Sequence, residues 1–356
     1  MSLLRLPPEI LIQVMDHVGS SYFREDLGRL TVCKRWFGFA RTACFKDLQL
    51  SQKTLRHLLS SRDVGRSLLL IKDSLEILDL ELKGFEDWSS IPEPQSYPQN
   101  GNALDASSWD GDLGRALLAA WTTVLDNGLA QLAIIARESR KLRIIRIQAS
   151  SENHPLLPHL PRRDYLSLST IRALLSVKNL MVLELDLCGT LLIPRQEHRG
   201  GFHVCTSIGA LLTTLRRLRL RMRSICADVL RLQHHDTSLR LSEVLINLSL
   251  SNESPMTTSA AYSTRCGSTG GGFLKLKADI EDQAEALAAH MASPKIIRIL
   301  THSLPQLKMR SLDVLTGKCM ILADDMAWED DGKTVEDDSD LESEILDDGF
   351  STSSDE

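Results

Sequence analysis

One spacing of apolar positions recurs along the middle of the chain, L-x-x-L-x-L or a close variant. It stands at Leu75-Leu78-Leu80, Leu142-Ile145-Ile147, Leu180-Leu183-Leu185, Leu215-Leu218-Leu220 and Leu245-Leu248-Leu250, with a weaker sixth copy at Met309-Leu312-Val314. Its last two positions lie two residues apart, the period of a strand with one covered face. Successive copies start 67, 38, 35, 30 and 64 residues apart, so the outer intervals are close to double the middle ones. Between copies the apolar spacing turns helical. Leu117, Leu118, Trp121, Leu125, Leu129, Leu132 and Ile135 recur in this way before the second copy, and shorter stretches follow over Thr170–Val177, Ile208–Thr214 and Ile280–Ser303. The pattern predicts an α/β body of alternating helices and strands. Both a repeat array and an open parallel sheet are built that way, and the recurring strand motif favours the array.

The first fifty residues carry a different pattern. Leu6-Pro7-Pro8-Glu9-Ile10-Leu11 opens a helix, because a proline in the first turn lacks only an N–H that would be unpaired there. Ile10, Leu11, Val14, Met15 and Val18 continue it as one broad apolar face, and Gly19-Ser20-Ser21 breaks it. A second helical run starts near Asp26 and carries Leu27, Leu30, Lys34 and Arg35 toward Trp36. So short a segment cannot bury this much apolar surface within itself. Either it caps the larger domain, or it is a docking module.

Leu6-Pro7-x-Glu9-Ile10-Leu11, a short link and Val32-Cys33-Lys34-Arg35-Trp36 together resemble the F-box family. The resemblance covers about the first 50 residues; the link Gly19–Glu25 is slightly longer than the family's usual one. It implies a three-helix module that docks a Skp-type adaptor and, through it, a cullin. By the same resemblance the adaptor-facing residues are Leu6, Pro7, Ile10, Leu11, Val14, Leu27, Leu30, Val32 and Trp36. The recurring strand motif resembles a degenerate leucine-rich repeat array, a helix–strand solenoid. The expected organisation is an F-box over residues 1–50, an irregular leucine-rich repeat body over 51–323 and an acidic disordered tail over 324–356. The implied function is that of a substrate receptor in a Skp–cullin–F-box ubiquitin ligase, non-catalytic and presenting a protein target. The alternative is a Skp-bound adaptor outside the ligase.

Charge sets the tail apart. From Asp324 to Glu356 there are 15 acidic residues and one lysine, a net of −14; since the whole chain carries −6, the remainder is +8. Such a composition favours a solvated, disordered segment, within which Leu341, Ile345, Leu346 and Phe350 form an apolar stripe if it folds on a partner. The proline-bearing stretch 91–108 and the Ser/Thr/Gly-rich stretch 252–272 read as exposed insertions. Seven cysteines without a C-x-x-C pair fit reduced thiols in cytoplasm or nucleus. The nearest candidate for a membrane span, Leu129–Ala136, is far too short and contains Gln131.

Side chains between the strand leucines face the other way. Aligning the copies gives one row of Asp79, Arg146, Glu184, Arg219 and Ser249 and a second of Glu81, Gln148, Asp186, Arg221 and Ser251. These rows read as a charge ladder that supports the sheet or as a target-binding strip. Arg217 and Arg223 have no acidic neighbour in this register, which makes them the candidate target-binding residues for an acidic or phosphorylated ligand. The arginine run 216–223 lacks aromatic neighbours for stacking bases, so nucleic acid is not an expected partner. Gly270-Gly271-Gly272 is not followed by the Lys-Ser/Thr of a phosphate loop. His198, His203 and Cys205 hint at a metal, but no fourth ligand stands at a usual spacing. Neither cofactor nor metal is expected.

Overall fold

A computed structural model describes residues 5–60, 64–84, 112–150, 165–193, 203–233, 238–250, 262–267, 272–303, 308–323 and 325–335. Two helices open the chain, α1 (Pro8–Glu25) and α2 (Lys34–Lys46), with a 3-10 turn over Leu27–Leu30 between them. The expected helix break is a kink: Gly19 sits at φ 83°, open to glycine, and the helix resumes after it. The second helical run divides. Asp26 caps the 3-10 turn, accepting from the Gly28 N–H at 2.8 Å, and the helix proper starts at Lys34, where the Cys33 sulfur accepts from the Trp36 N–H at 3.4 Å.

The rest is mixed α/β. Strand β1 (Asp47–Ser51) leads through α3 (Gln52–Ser60) and α4 (Val64–Ser74) to β2 (Ile77–Lys83). Helix α5 (Asp112–Glu138), β3 (Ile144–Ser150), β4 (Leu166–Ser167), α6 (Leu168–Leu174) and β5 (Val182–Leu187) follow. Then come β6 (Leu192–Ile193), α7 (Val204–Gly209), β7 (Arg217–Met222), β8 (Ser224–Ile225), β9 (Glu243–Asn247), β10 (Thr264–Arg265), α8 (Phe273–Ala288) and β11 (Ile296–Ser303). Strands β12 (Lys308–Asp313), β13 (Lys318–Leu322) and β14 (Lys333–Thr334) end the described chain. Ten strands form one sheet in the order β1-β2-β3-β5-β7-β9-β11-β12-β13-β14, so neighbours in space are neighbours in sequence. The first seven are parallel and the last three antiparallel.

The leucine pattern explains the parallel part. Pairing aligns Leu48, Leu78, Ile145, Leu183, Leu218, Val244 and Ile297 in one row and Leu50, Leu80, Ile147, Leu185, Leu220, Ile246 and Ile299 in the next. All are buried, against α5 (Trp121, Leu125, Leu129), α6 (Ile171, Leu174) and α8 (Ile280, Leu287). A fully buried aliphatic side chain contributes about 1.5–3 kcal/mol by leaving water, and every strand supplies two.

Several expectations need correction. A copy of the motif in the expected helical segment, Phe45-x-x-Leu48-x-Leu50, forms β1, so the body begins at Asp47. The fifth copy is displaced: Leu241, Val244 and Ile246, not Leu245, Leu248 and Leu250, continue the pattern, because Val244 pairs with Leu218. Both choices alternate correctly, and only the neighbouring strand selects one. The sixth copy lies on the antiparallel hairpin strand β12, whereas the seventh parallel strand is β11. The helix expected over Ile280–Ser303 ends at Ala288, leaving the β-branched Ile296-Ile297-Arg298-Ile299 to form that strand.

The expected insertion 252–272 contains a packed piece, β10, preceded by Ser263, which is 2% exposed and donates to Met222 O at 2.7 Å. Nor is the acidic tail solvated from its start. Residues 325–335 lie back on the sheet, Arg298 donates to the carbonyls of Trp328 and Asp330 and pairs with Asp331, and β14 adds to β13. A Cβ at Gly332 would stand 2.2 Å from Ile321 O, so this close return requires glycine. The apolar tail stripe and the insertion 91–108 fall outside the described residues.

Candidate functional site

The N-terminal module has its own small core of Met15, Phe23, Leu30, Ala40, Ala43 and Cys44, with Trp36 packed against it. The Trp36 ring meets Phe23 edge-on at 6.3 Å, and its indole N–H donates to Arg29 O at 2.6 Å. Arg35 donates to Leu6 O at 3.1 Å, which joins the proline-led start of α1 to the start of α2. Pro7, Ile10 and Val32 stay exposed around that junction, with Ile12 and Phe37 also open. Five of the eleven exposed large apolar side chains among the described residues (Ile10, Ile12, Tyr22, Val32 and Phe37) belong to this module.

Not every residue expected on that face is there. Leu11 is fully buried and Leu30 is 7% exposed, so both belong to the interior. Leu6, Val14 and Trp36 are half-buried, and the side chain of Leu27 lies outside the described residues. A helix buries one stripe, here Leu11 and Met15, and leaves the adjoining residues Ile10 and Val14 nearer to water. The module is anchored to the body: Arg24 donates to Asp47 O at 2.7 Å, and Lys46 pairs with Asp16 at 3.3 Å and Glu76 at 3.5 Å.

On the sheet face opposite the helices runs a groove of about 770 Å³, lined by the two polar rows. Asp79, Arg146, Glu184 and Arg219 stand at facing positions, as do Glu81, Gln148, Asp186 and Arg221. Asp79 pairs with Arg146 at 3.2 Å, Arg146 with Glu184 at 3.4 Å, and Asp186 holds Arg221 through two bonds of 2.8 and 2.6 Å. Ser249, expected in this row, is buried instead, with its hydroxyl 2.7 Å from His302 Nδ1.

The two candidate target-binding arginines are both engaged. Arg217 reaches Glu184 at 3.6 Å, Glu243 at 3.5 Å and Glu329 at 2.8 Å. Glu243 is its facing residue in the true register of β9, which the displaced fifth copy concealed. Arg223 donates to Cys188 O at 2.7 Å. Arg219 turns from Glu184 toward the returning tail, pairing with Glu329 at 3.3 Å under the Trp328 ring, whose centre is 4.2 Å away. Partial burial alone would raise the Glu329 carboxyl, but its own backbone N–H and the guanidiniums of Arg219 and Arg217 hold it below the usual glutamate range. Trp328 and Glu329, invisible as site residues in an acidic tail, therefore cover one end of the groove.

Each half-exposed pair in this ladder contributes a few tenths of a kcal/mol up to about 1. Glu184→Arg removes two such pairs and sets like charges side by side, so a loss of roughly 1–2 kcal/mol is expected. Arg146→Glu in the same chain should restore much of it, and Arg219→Glu should not. Urea unfolding of the three variants measures this; rescue by Arg219→Glu alone would contradict the pairing. No helix among the described residues is long and apolar enough to cross a membrane. Compared with protein-family models and with curated proteins, the chain matches none.

Proposed function

We propose that this chain is an F-box-type substrate receptor. Its N-terminal module docks a Skp-type adaptor, which brings a cullin, and its body, read as an irregular leucine-rich repeat solenoid, presents a protein target. The observation that carries the reading is the exposed apolar junction of Pro7, Ile10 and Val32, residues that the F-box resemblance assigns to the adaptor. Apolar surface concentrated in this way marks an interaction site. The strands in chain order and the long groove support the second half of the proposal, since such a body offers an extended surface to a partner. The chain's contribution would be proximity and orientation of the target.

The test is a pull-down of the tagged chain from its native cells beside an Ile10→Asp, Val32→Asp variant. Both side chains are on the outside, so the variant should keep its thermal stability. A carboxylate forced into an apolar interface costs several kcal/mol, which lowers affinity by about 100-fold or more. Skp-type adaptor and cullin should accompany the native chain and be lost from the variant, and a target should accumulate when docking is broken. Adaptor without cullin would favour a role outside the ligase. Absence of both would overturn the proposal. Leu11→Asp is unsuitable, because Leu11 is interior and the module would unfold.

A further inference from the structure

Four metal-ligating side chains from three separate segments converge beside the sheet. One ligand atom each from His203, Cys205, Cys226 and Cys266 lies within 4.8 Å of all the others. His203 is the cap residue of α7 and Cys205 is in its first turn. Cys226 follows β8 and caps the 3-10 turn Ala227–Val229. Cys266 follows β10, whose parallel pairing of Arg265 with Ile225 sets the two cysteines side by side; the Cys266 N–H donates to Ile225 O at 3.3 Å. Helix α7 is pressed onto the turn that carries Cys226. A Cβ at Gly209 would stand 2.6 Å from Asp228 O and 3.1 Å from Arg231 O, so glycine is what lets the ligand-bearing segments approach.

All four ligand atoms lie within 4.8 Å of one another, and two of their spacings match the edges of a tetrahedral site. Cys205 Sγ and Cys266 Sγ are 3.8 Å apart, and Cys226 Sγ is 3.6 Å from His203 Nδ1. Metal–sulfur bonds of about 2.3 Å and metal–nitrogen bonds of about 2.0 Å give edges of roughly 3.8 and 3.5 Å. A disulfide needs about 2.05 Å and would use only two of the three sulfurs. The other imidazole nitrogen has its own partner: Nε2 lies 3.4 Å from Asp228 Oδ2, and Arg231 steadies that carboxylate from 3.1 Å. Cys226 Sγ lies 3.8 Å from Nε2 as well, so Nδ1 is the nearer of the two nitrogens by a small margin; a carboxylate on the other ring nitrogen is the usual support of a metal-bound imidazole.

We propose that His203, Cys205, Cys226 and Cys266 form a structural zinc site, with Asp228 orienting His203. Three sulfurs and one imidazole in a tetrahedral array select zinc among common divalent ions, and four protein ligands leave no open position for catalysis. The ion ties the start of α7, the turn after β8 and the end of β10 into one unit. It fastens the segment 262–267 beside β8, and this role is independent of what the body binds.

The experiment is elemental analysis of the full-length chain purified in zinc-containing medium and dialysed free of loose metal. One zinc ion per chain is expected, kept by Cys319→Ser outside the cluster and lost by Cys205→Ser and Cys226→Ser. Asp228→Asn keeps all four ligands and should weaken zinc by about 10–100-fold in competition with a chromophoric chelator. Should the cysteine variants fail to fold, cobalt(II) exchanged into the native chain should give thiolate charge-transfer bands and the intense visible absorption of a tetrahedral site. Native chain without bound zinc and without that cobalt spectrum would overturn the proposal, as would a Cys205–Cys266 disulfide in unreduced peptides.

Discussion

Replacing Tyr165 by alanine is expected to lower the unfolding free energy by about 3–5 kcal/mol, the range for deleting a buried aromatic ring. Tyr165 is fully buried, and its ring meets Trp121 of α5 edge-on at 5.8 Å. Its hydroxyl donates to Ser150 O at 2.6 Å and reaches Leu82 O at 3.2 Å, so one side chain joins the ends of β2 and β3. Its backbone N–H donates to Thr190 Oγ1 at 3.1 Å, beyond the end of β5. Gly84 makes room for the ring, since a Cβ there would stand 3.0 Å from it. Burial pushes the phenol well above its ordinary range, so it stays neutral and remains a donor at every working pH. Tyr165→Phe keeps the ring and should cost only about 0.5–1.5 kcal/mol, because Ser150 O still accepts from the Gly84 N–H. Urea midpoints at unchanged slope measure both changes. An alanine variant within about 1 kcal/mol of the native chain would refute the packing role.

Leu218→Ala should be nearly as damaging, at about 3–5 kcal/mol. Leu218 is fully buried on β7, between Leu183 of β5 and Val244 of β9. Its strand is paired on both sides, so the backbone cannot close the space a deleted side chain leaves. Leu274 provides the contrast: it is 52% exposed on α8, and its replacement by alanine should change stability by no more than about 0.5 kcal/mol. Equal losses at the two positions would mean that the leucine rows do not form the core.

The sequence by itself determined the alternation of helix and strand, the inward rows from Leu78 to Leu220 and the facing charges Asp79, Arg146, Glu184 and Arg219. These are local consequences of side-chain period, which the order of residues records directly. It also marked the first fifty residues as carrying more apolar surface than so short a segment can bury, with Pro7, Ile10, Leu11, Leu30 and Val32 all expected on one outward face. It could not show that Leu11 and Leu30 go inside, because an apolar stripe does not say which of its edges will be covered.

Tertiary structure decided whatever depends on a neighbour distant in sequence. Residues 241–250 are apolar in two registers, and only β7 and β11 choose between them. Trp328 and Glu329 belong to an acidic segment until Arg217, Arg219 and Arg298 hold that segment on the sheet. The same reason hid the cluster of four ligands. His203 and Cys205 are two residues apart in the chain, but Cys226 and Cys266 arrive through the pairing of β8 with β10 and the close approach that Gly209 permits. A tetrahedral site needs ligands from several directions at once, and in this fold three different segments supply them.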